Sequence, residues 1–267
     1  MESSPAQIEE YCRLATEALE ESNRDMHRIL LYTEDPQDKA DPQNLAVACM
    51  YAAIIQSARD CLILLEKRSG SAVACLLRSI VESYVDLCAV IIDGKYIDRM
   101  MATFYSEKER MFKSFGRGDD IPFDARMLDT TVELEKVAAE LATIESRGQK
   151  PLKVDERFDC GGRWGIYEWI YWRLCLRNNN NIAALEKRHL QRVANDLQVL
   201  VVEESDPSEI AVYYDALAWL LIDSAIRVHG FLMTGLVTGY ENQLRALRTL
   251  RSAVPEERAL PASSTDS

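Results

Sequence analysis

Histidine is scarce in this chain. His27, His189 and His229 are the three in 267 residues, too scattered to suggest a zinc site. There are seven cysteines, but no Cys-x-x-Cys pair. Their odd number and irregular spacing read as reduced core residues of apolar helical runs in a cytoplasmic protein, not as a disulfide framework. Eleven glycines and eight prolines are few for this length, which disfavours a turn-rich β architecture and fits an all-helical one. Gly161-Gly162 and the Gly116–Gly118 pair lack the Walker and dinucleotide patterns. There is no Gly-x-Ser-x-Gly elbow and no His-Glu-x-x-His. A di-iron bundle needs two Glu-x-x-His motifs, and Glu186 to His189 is a single one. No cofactor is expected. Met1 to Gln7 is polar with no apolar segment after it, and the longer apolar runs are broken by charge, so neither a signal peptide nor a membrane span is expected. A net charge of −12 argues against a general nucleic-acid coat or a binder of anionic membranes, although a local arginine cluster is compatible with it.

What the chain does have is a stretch apolar on nearly every side, Ser71 to Asp93, with Val73, Leu76, Leu77, Ile80, Val81, Val85, Leu87, Val90 and Ile91. A helix hydrophobic all round belongs at the centre of a core. It nevertheless carries Arg78, Glu82 and Asp86, which helical spacing sets in one stripe. A charged stripe there is either a structural ion pair or one wall of a site, because an unpaired buried charge is costly.

The other segments read as helices over Pro5 to Tyr32, Leu45 to Arg68 with Asn44 as cap, a charged continuation to about Phe115, Leu128 to Arg147, Trp164 to Arg177, Ile182 to Leu197, Glu209 to about Gly230, and Tyr240 to Ala253. Ser71 is expected to cap the central helix, and Val199 to Glu204 is a short extended candidate. The 128–147 helix has a narrow apolar stripe (Leu134, Val137, Leu141, Ile144), as a surface arm would. The resulting expectation is an all-α helical bundle in a single domain over 1–255. An arm is inserted at about 116–163, further helices follow it, and residues 256–267 form a disordered tail.

Chemistry concentrates in Trp172 to Arg192, which gathers Arg173, Arg177, Lys187, Arg188, His189 and Arg192 in an acidic protein. Arg173 and Arg177 are one helical turn apart, and two guanidinium forks together suit a phosphate. Tyr167, Trp169, Tyr171 and Trp172 either stack on bases or belong to the core. The four asparagines from Asn178 either cap a helix or contact a ligand.

The pairing of RSIVESYVDLC (78–88) with YWRLCLRNNNNIAALEKRHL (171–190) resembles a group of uncharacterised bacterial helical proteins related to the HEPN superfamily. The resemblance covers roughly 45–92 and 164–230; the arm and the tail lie outside it. It implies a helical bundle that usually dimerises. It also implies a metal-independent ribonuclease of a toxin–antitoxin or anti-phage system, acting on RNA and partnered by an antitoxin or sensor protein. The family motif is Arg-x(4–6)-His. Arg173 fits its arginine, but the histidine position falls within Asn178 to Asn180, best at Asn179. Starting from Arg177 lands on Ile182 to Ala184. Asparagine donates hydrogen bonds but is no acid or base near neutral pH, so the resemblance implies an inactive form. In that reading Arg173 and Arg177 bind the phosphate, Asn179 stands at the acid/base position, and Arg78 with Glu82 braces the site. The alternative is a non-catalytic module binding a protein partner or a nucleotide.

Overall fold

The computed structural model describes residues 4–33, 41–115, 130–178, 182–193, 196–200 and 205–253. Asn179 and the 256–267 tail lie outside these described residues. The fold is an all-α helical bundle.

Helix α1 (Pro5–Thr33) is followed by α2 (Pro42–Glu66) and α3 (Gly70–Ile92). Both of the latter begin earlier than the sequence suggests. Asp41, not Asn44, caps α2, its carboxylate accepting from the Gln43 N–H at 3.0 Å with Pro42 at the first helical position. Ser69, not Ser71, stands at the start of α3. Gly70 is required there, since a Cβ would come within 2.1 Å of Ser205 Oγ. The Gly70 N–H donates to that same oxygen at 2.9 Å, which ties the turn to a distant segment.

Helix α3 is the centre. Every residue from Tyr84 to Val90 is buried, Asp86 included. Helices α2 and α3 pack as a pair, and α10 (Pro207–Phe231), capped by Asp206, crosses α1, α2 and α3. Helix α11 (Val237–Ser252) closes the bundle against α10 and α1. Among the described helices α2 alone has the length and apolarity to cross a membrane, and 44% of its most apolar window is buried within the fold. Its packing against α1, α3 and α10 accounts for that apolar content. All seven cysteines are free thiols. Not all are core residues: Cys61 and Cys88 are buried, but Cys49 and Cys75 are exposed. Burial pushes the Cys61 thiol up to about 12.

Helices α4 (Tyr96–Phe115) and α5 (Thr130–Ser146) pack against each other, with Val137 and Ile144 of the α5 apolar stripe buried. The stretch expected as loop from Gly148 to Arg163 contains a further helix, α6 (Val154–Cys160), whose Glu156 carboxylate accepts from the Lys153 N–H at 2.8 Å. The aromatic helix is built in three pieces: α7 (Trp164–Ile166), a π-helical turn (Tyr167–Tyr171) and α8 (Trp172–Asn178). The helix expected over Ile182 to Leu197 stops early. Helix α9 (Ile182–His189) gives way to an antiparallel pair, β1 (Leu190–Val193) with β2 (Asp196–Val199), in the register Leu190↔Val199. Of the extended segment expected over Val199 to Glu204, Val199 ends β2 and residues 201–204 lie outside the described ones.

Candidate functional site

The charged stripe of α3 is closed by a residue from α6. Arg157 reaches Asp86 through two nitrogens, Nε to Oδ1 at 3.0 Å and Nη2 to Oδ2 at 2.5 Å, and Glu82 through Nη1 at 3.3 Å. The Tyr96 hydroxyl gives Asp86 Oδ1 a further bond at 2.7 Å. Arg78 pairs with Glu82 at 3.2 Å. The Tyr171 hydroxyl, from the π turn, donates to the same Glu82 oxygen at 2.8 Å, and the Arg78 guanidinium lies 5.4 Å from the Tyr171 ring centroid. Burial, then the Glu82 hydrogen bond, raises the Tyr171 hydroxyl well above its ordinary value, so it remains a donor. Burial works against the charge of Arg157, but the Asp86 and Glu82 carboxylates outweigh it and the net shift is upward. A buried carboxylate stripped of its partner costs several kcal/mol, and Asp86 has two. Arg78 and Glu82 therefore belong to an ionic tie that fixes α6 and the π turn to α3. They brace the segment that carries Arg173.

The aromatics of that segment divide by face. Trp164, Tyr167 and Tyr171 stack in series at 5.1 and 5.6 Å, running from an exposed Trp164 to a buried Tyr171, with Phe158 packed on the two tyrosines. Trp169 and Trp172 point outward, 69% and 54% exposed. Of the four aromatics singled out in the sequence, Tyr171 is thus a core residue, Tyr167 is half-buried, and Trp169 and Trp172 are on the surface. The extra residue in a π turn shifts the faces that follow it, and such turns recur where a helix carries function.

Between this segment and α10 lies a cavity of about 540 Å³. Leu77 and Leu174 line it from α3 and α8, Ile166, Trp169 and Ile170 from the aromatic segment, and Val212, Ala216 and Trp219 from α10. Its polar residues are Arg173, Tyr213, Asp215 and Arg251. The size suits a small ligand or one nucleotide, and a mostly apolar wall with few convergent polar groups is the usual form of a binding site. The Arg173 guanidinium lies over Trp169, 5.0 Å from its centroid. Arg251 Nε meets Asp215 Oδ1 at 2.7 Å, and burial raises the Asp215 carboxyl above its usual range despite that partner.

Arg177 does not join Arg173 in a phosphate fork. It turns to α10, where its Nη2 pairs with Glu209, and the Tyr213 hydroxyl donates to the other Glu209 oxygen at 2.7 Å. The pair expected to act together is split between an open cavity and a structural anchor. Arg78 and Glu82 lie outside the cavity wall. His189 Nδ1 is 2.9 Å from the Leu200 carbonyl, at the end of the β pair.

Sequence reading missed Arg157, Asp215, Trp219 and Arg251. The last three carry a usable signal: charged and aromatic residues at turn spacing on otherwise apolar or basic helices. Arg157 has none, because a seven-residue helix leaves too short a pattern.

The Family of unknown function (DUF5677) matches residues 44–194, from α2 through the β pair. No curated protein and no solved structure matches.

Proposed function

The chain belongs to DUF5677, a family of unknown function, and from that premise we propose that it is a HEPN-like, RNA-directed protein of a toxin or anti-phage system, present in a form that binds RNA without cutting it. The observation that carries this reading is Arg173 at the edge of an apolar, tryptophan-walled cavity of nucleotide size. A base stacks against Trp169 or Trp219, and Arg173 takes the adjoining phosphate. Stacking of one base on an aromatic side chain is worth about 1–3 kcal/mol. Arg78 and Glu82 act one step back, holding Tyr171 and with it the turn that aims Trp169 and Arg173. With asparagine at 179, no group in the motif register moves a proton from the 2′-hydroxyl. The protein works in the cytoplasm as a homodimer, with an antitoxin or sensor as partner.

The test pairs two substitutions. Arg173→Ala should lower affinity for a short single-stranded RNA, read by fluorescence anisotropy. Asn179→His should cleave RNA in EDTA and harm its host. If Arg173→Ala binds RNA as the original does, and Asn179→His neither cuts nor harms, the proposal fails.

A second reading, a protein-interaction module, draws on the packed pair α4 and α5. Met101, Phe104 and Met111 of α4 and Val132 of α5 are exposed apolar side chains of that pair. Removing them would abolish partner capture and leave RNA affinity unchanged.

A further inference from the structure

The cavity face of α10 does not end at Trp219. Val212, Ala216, Trp219, Asp223 and Arg227 follow at four- and three-residue steps along one side of the helix, so the apolar wall runs directly into charge. There Arg227 Nε meets Asp223 Oδ2 at 2.5 Å and the Tyr84 hydroxyl oxygen at 3.1 Å, and that hydroxyl also donates to Asp223 Oδ2. Arg163, two residues before the cavity-lining Gly165, enters from the other side. Its Nη2 stands 3.9 Å from that same Asp223 oxygen. Both guanidiniums lie near the Tyr84 ring, 5.7 and 5.9 Å from its centroid, and Trp219 packs on that ring at 5.5 Å.

One carboxylate oxygen thus serves two arginines and a tyrosine. Among the described residues Asp223 is the one carboxylate in ion-pair range of either guanidinium, so the cluster keeps one positive charge in excess. Arg163 Nε is buried and meets no acceptor among the described residues. Yet the cluster is not sealed: the Arg163, Arg227 and Asp223 side chains keep 24%, 29% and 15% of their exposure. Arg163 lies over the Tyr84 ring and beside the Cys88 thiol, and its pairing with Asp223 is long, which leaves its Nε without an acceptor among the described residues. Two guanidiniums on one carboxylate suit a tetrahedral oxyanion, to which each fork offers N–H groups.

We infer that Arg163 and Arg227 form a phosphate-binding subsite next to the tryptophan-walled cavity. On the RNA-binding reading, its occupant is a strand phosphate one step from the base that the cavity holds. Trp219, shared by the cavity wall and the Tyr84 cluster, joins the two.

Inorganic phosphate tests the subsite by itself, titrated at constant ionic strength against chloride while the unfolding temperature is followed. Phosphate should raise Tm in the original protein, and the increment should be lost in Arg163→Gln. It should grow in Asp223→Asn, where the competing carboxylate is gone. Arg227→Lys, which keeps the charge but not the fork, should give a smaller increment, and it serves if Arg163→Gln fails to fold. Equal increments in all the folded variants would overturn the inference. Adenosine and its 5′-monophosphate then read the occupant: the monophosphate should bind about tenfold tighter or better, with the advantage removed by Arg163→Gln. A phosphate response without that advantage keeps the subsite and removes the nucleotide from it.

Discussion

Arg157 Nη2 and Asp86 Oδ2 stand 2.5 Å apart, so one residue of a seven-residue helix neutralises the acid buried in the most apolar helix of the fold. The pair is asymmetric in consequence. Asp86 is almost fully buried and Arg157 is partly exposed, so removal of the arginine strands a carboxylate in the core. Arg157→Ala should destabilise the protein by about 2–4 kcal/mol, with the midpoint in urea as the measurement. Asp86→Asn should cost less, since the amide oxygen still accepts from Tyr96 and the Arg157 charge left in excess is partly exposed and keeps Glu82 as a partner.

Gly161 sets how closely α6 can lie on α3. A Cβ there would fall 2.8 Å from the Val85 carbonyl oxygen, a backbone atom that cannot swing aside. Gly161→Ala should therefore cost about 1–3 kcal/mol, and Gly162→Ala, with open space around it but a positive φ of 63°, should act through backbone strain instead. Comparing the two by thermal unfolding with the Arg157→Ala variant separates them. Gly161→Ala should be less than additive with Arg157→Ala, because both loosen α6 from α3, whereas Gly162→Ala should be additive.

These contacts explain what could be read from the residues alone. Helix α3 is legible because burial on all sides needs apolar residues on all sides, and its charged stripe is legible because three charges in such a helix demand partners. The partners are not legible. Arg157 lies between a proline and a Gly-Gly step, where turn residues outweigh a pattern two turns long. The end of α9 is hidden for the opposite reason: Leu190 to Val193 continues a good helical composition, and only its pairing with Asp196 to Val199 makes it a strand. The π turn leaves no periodic trace, yet it decides that Trp169 faces the cavity while Tyr171 is buried. Equal spacing also told nothing of Arg173 and Arg177, since one helical turn fixes where side chains start and not which partners they find.

His229 gives the fold a dependence on pH. The ring is buried, stacked 5.3 Å from Tyr240 and set edge-on to Tyr51, with Nδ1 at 2.8 Å from Thr234 Oγ1. Burial lowers its pKa below the ordinary 6.5. The unfolded chain therefore takes up the proton more readily, so stability is full above about pH 6.5 and falls as the pH drops toward the folded value. The urea midpoint, followed from about pH 7.5 downward, should decline in that window, and His229→Gln should flatten this decline while lowering the plateau.

Arg173 and Arg177 sit one turn apart and should fail in different ways. Arg177 anchors α8 through Glu209, which also accepts from Tyr213, so Arg177→Ala should lower stability by about 1–3 kcal/mol. RNA affinity of the folded fraction should be unchanged. Arg173 is exposed and rests on Trp169, so Arg173→Ala should change stability by less than about 0.5 kcal/mol. Its effect should appear in RNA binding instead. On the proposed RNA-binding reading, a chain of net charge −12 offers a strand few cations, so the slope of log K against log salt should be shallow, and Arg173→Ala should reduce it by about 0.7, the share of one phosphate on a single strand. Anisotropy titrations at several salt concentrations decide the matter. A slope unmoved by Arg173→Ala would take the phosphate contact away from this residue, whatever the change in affinity.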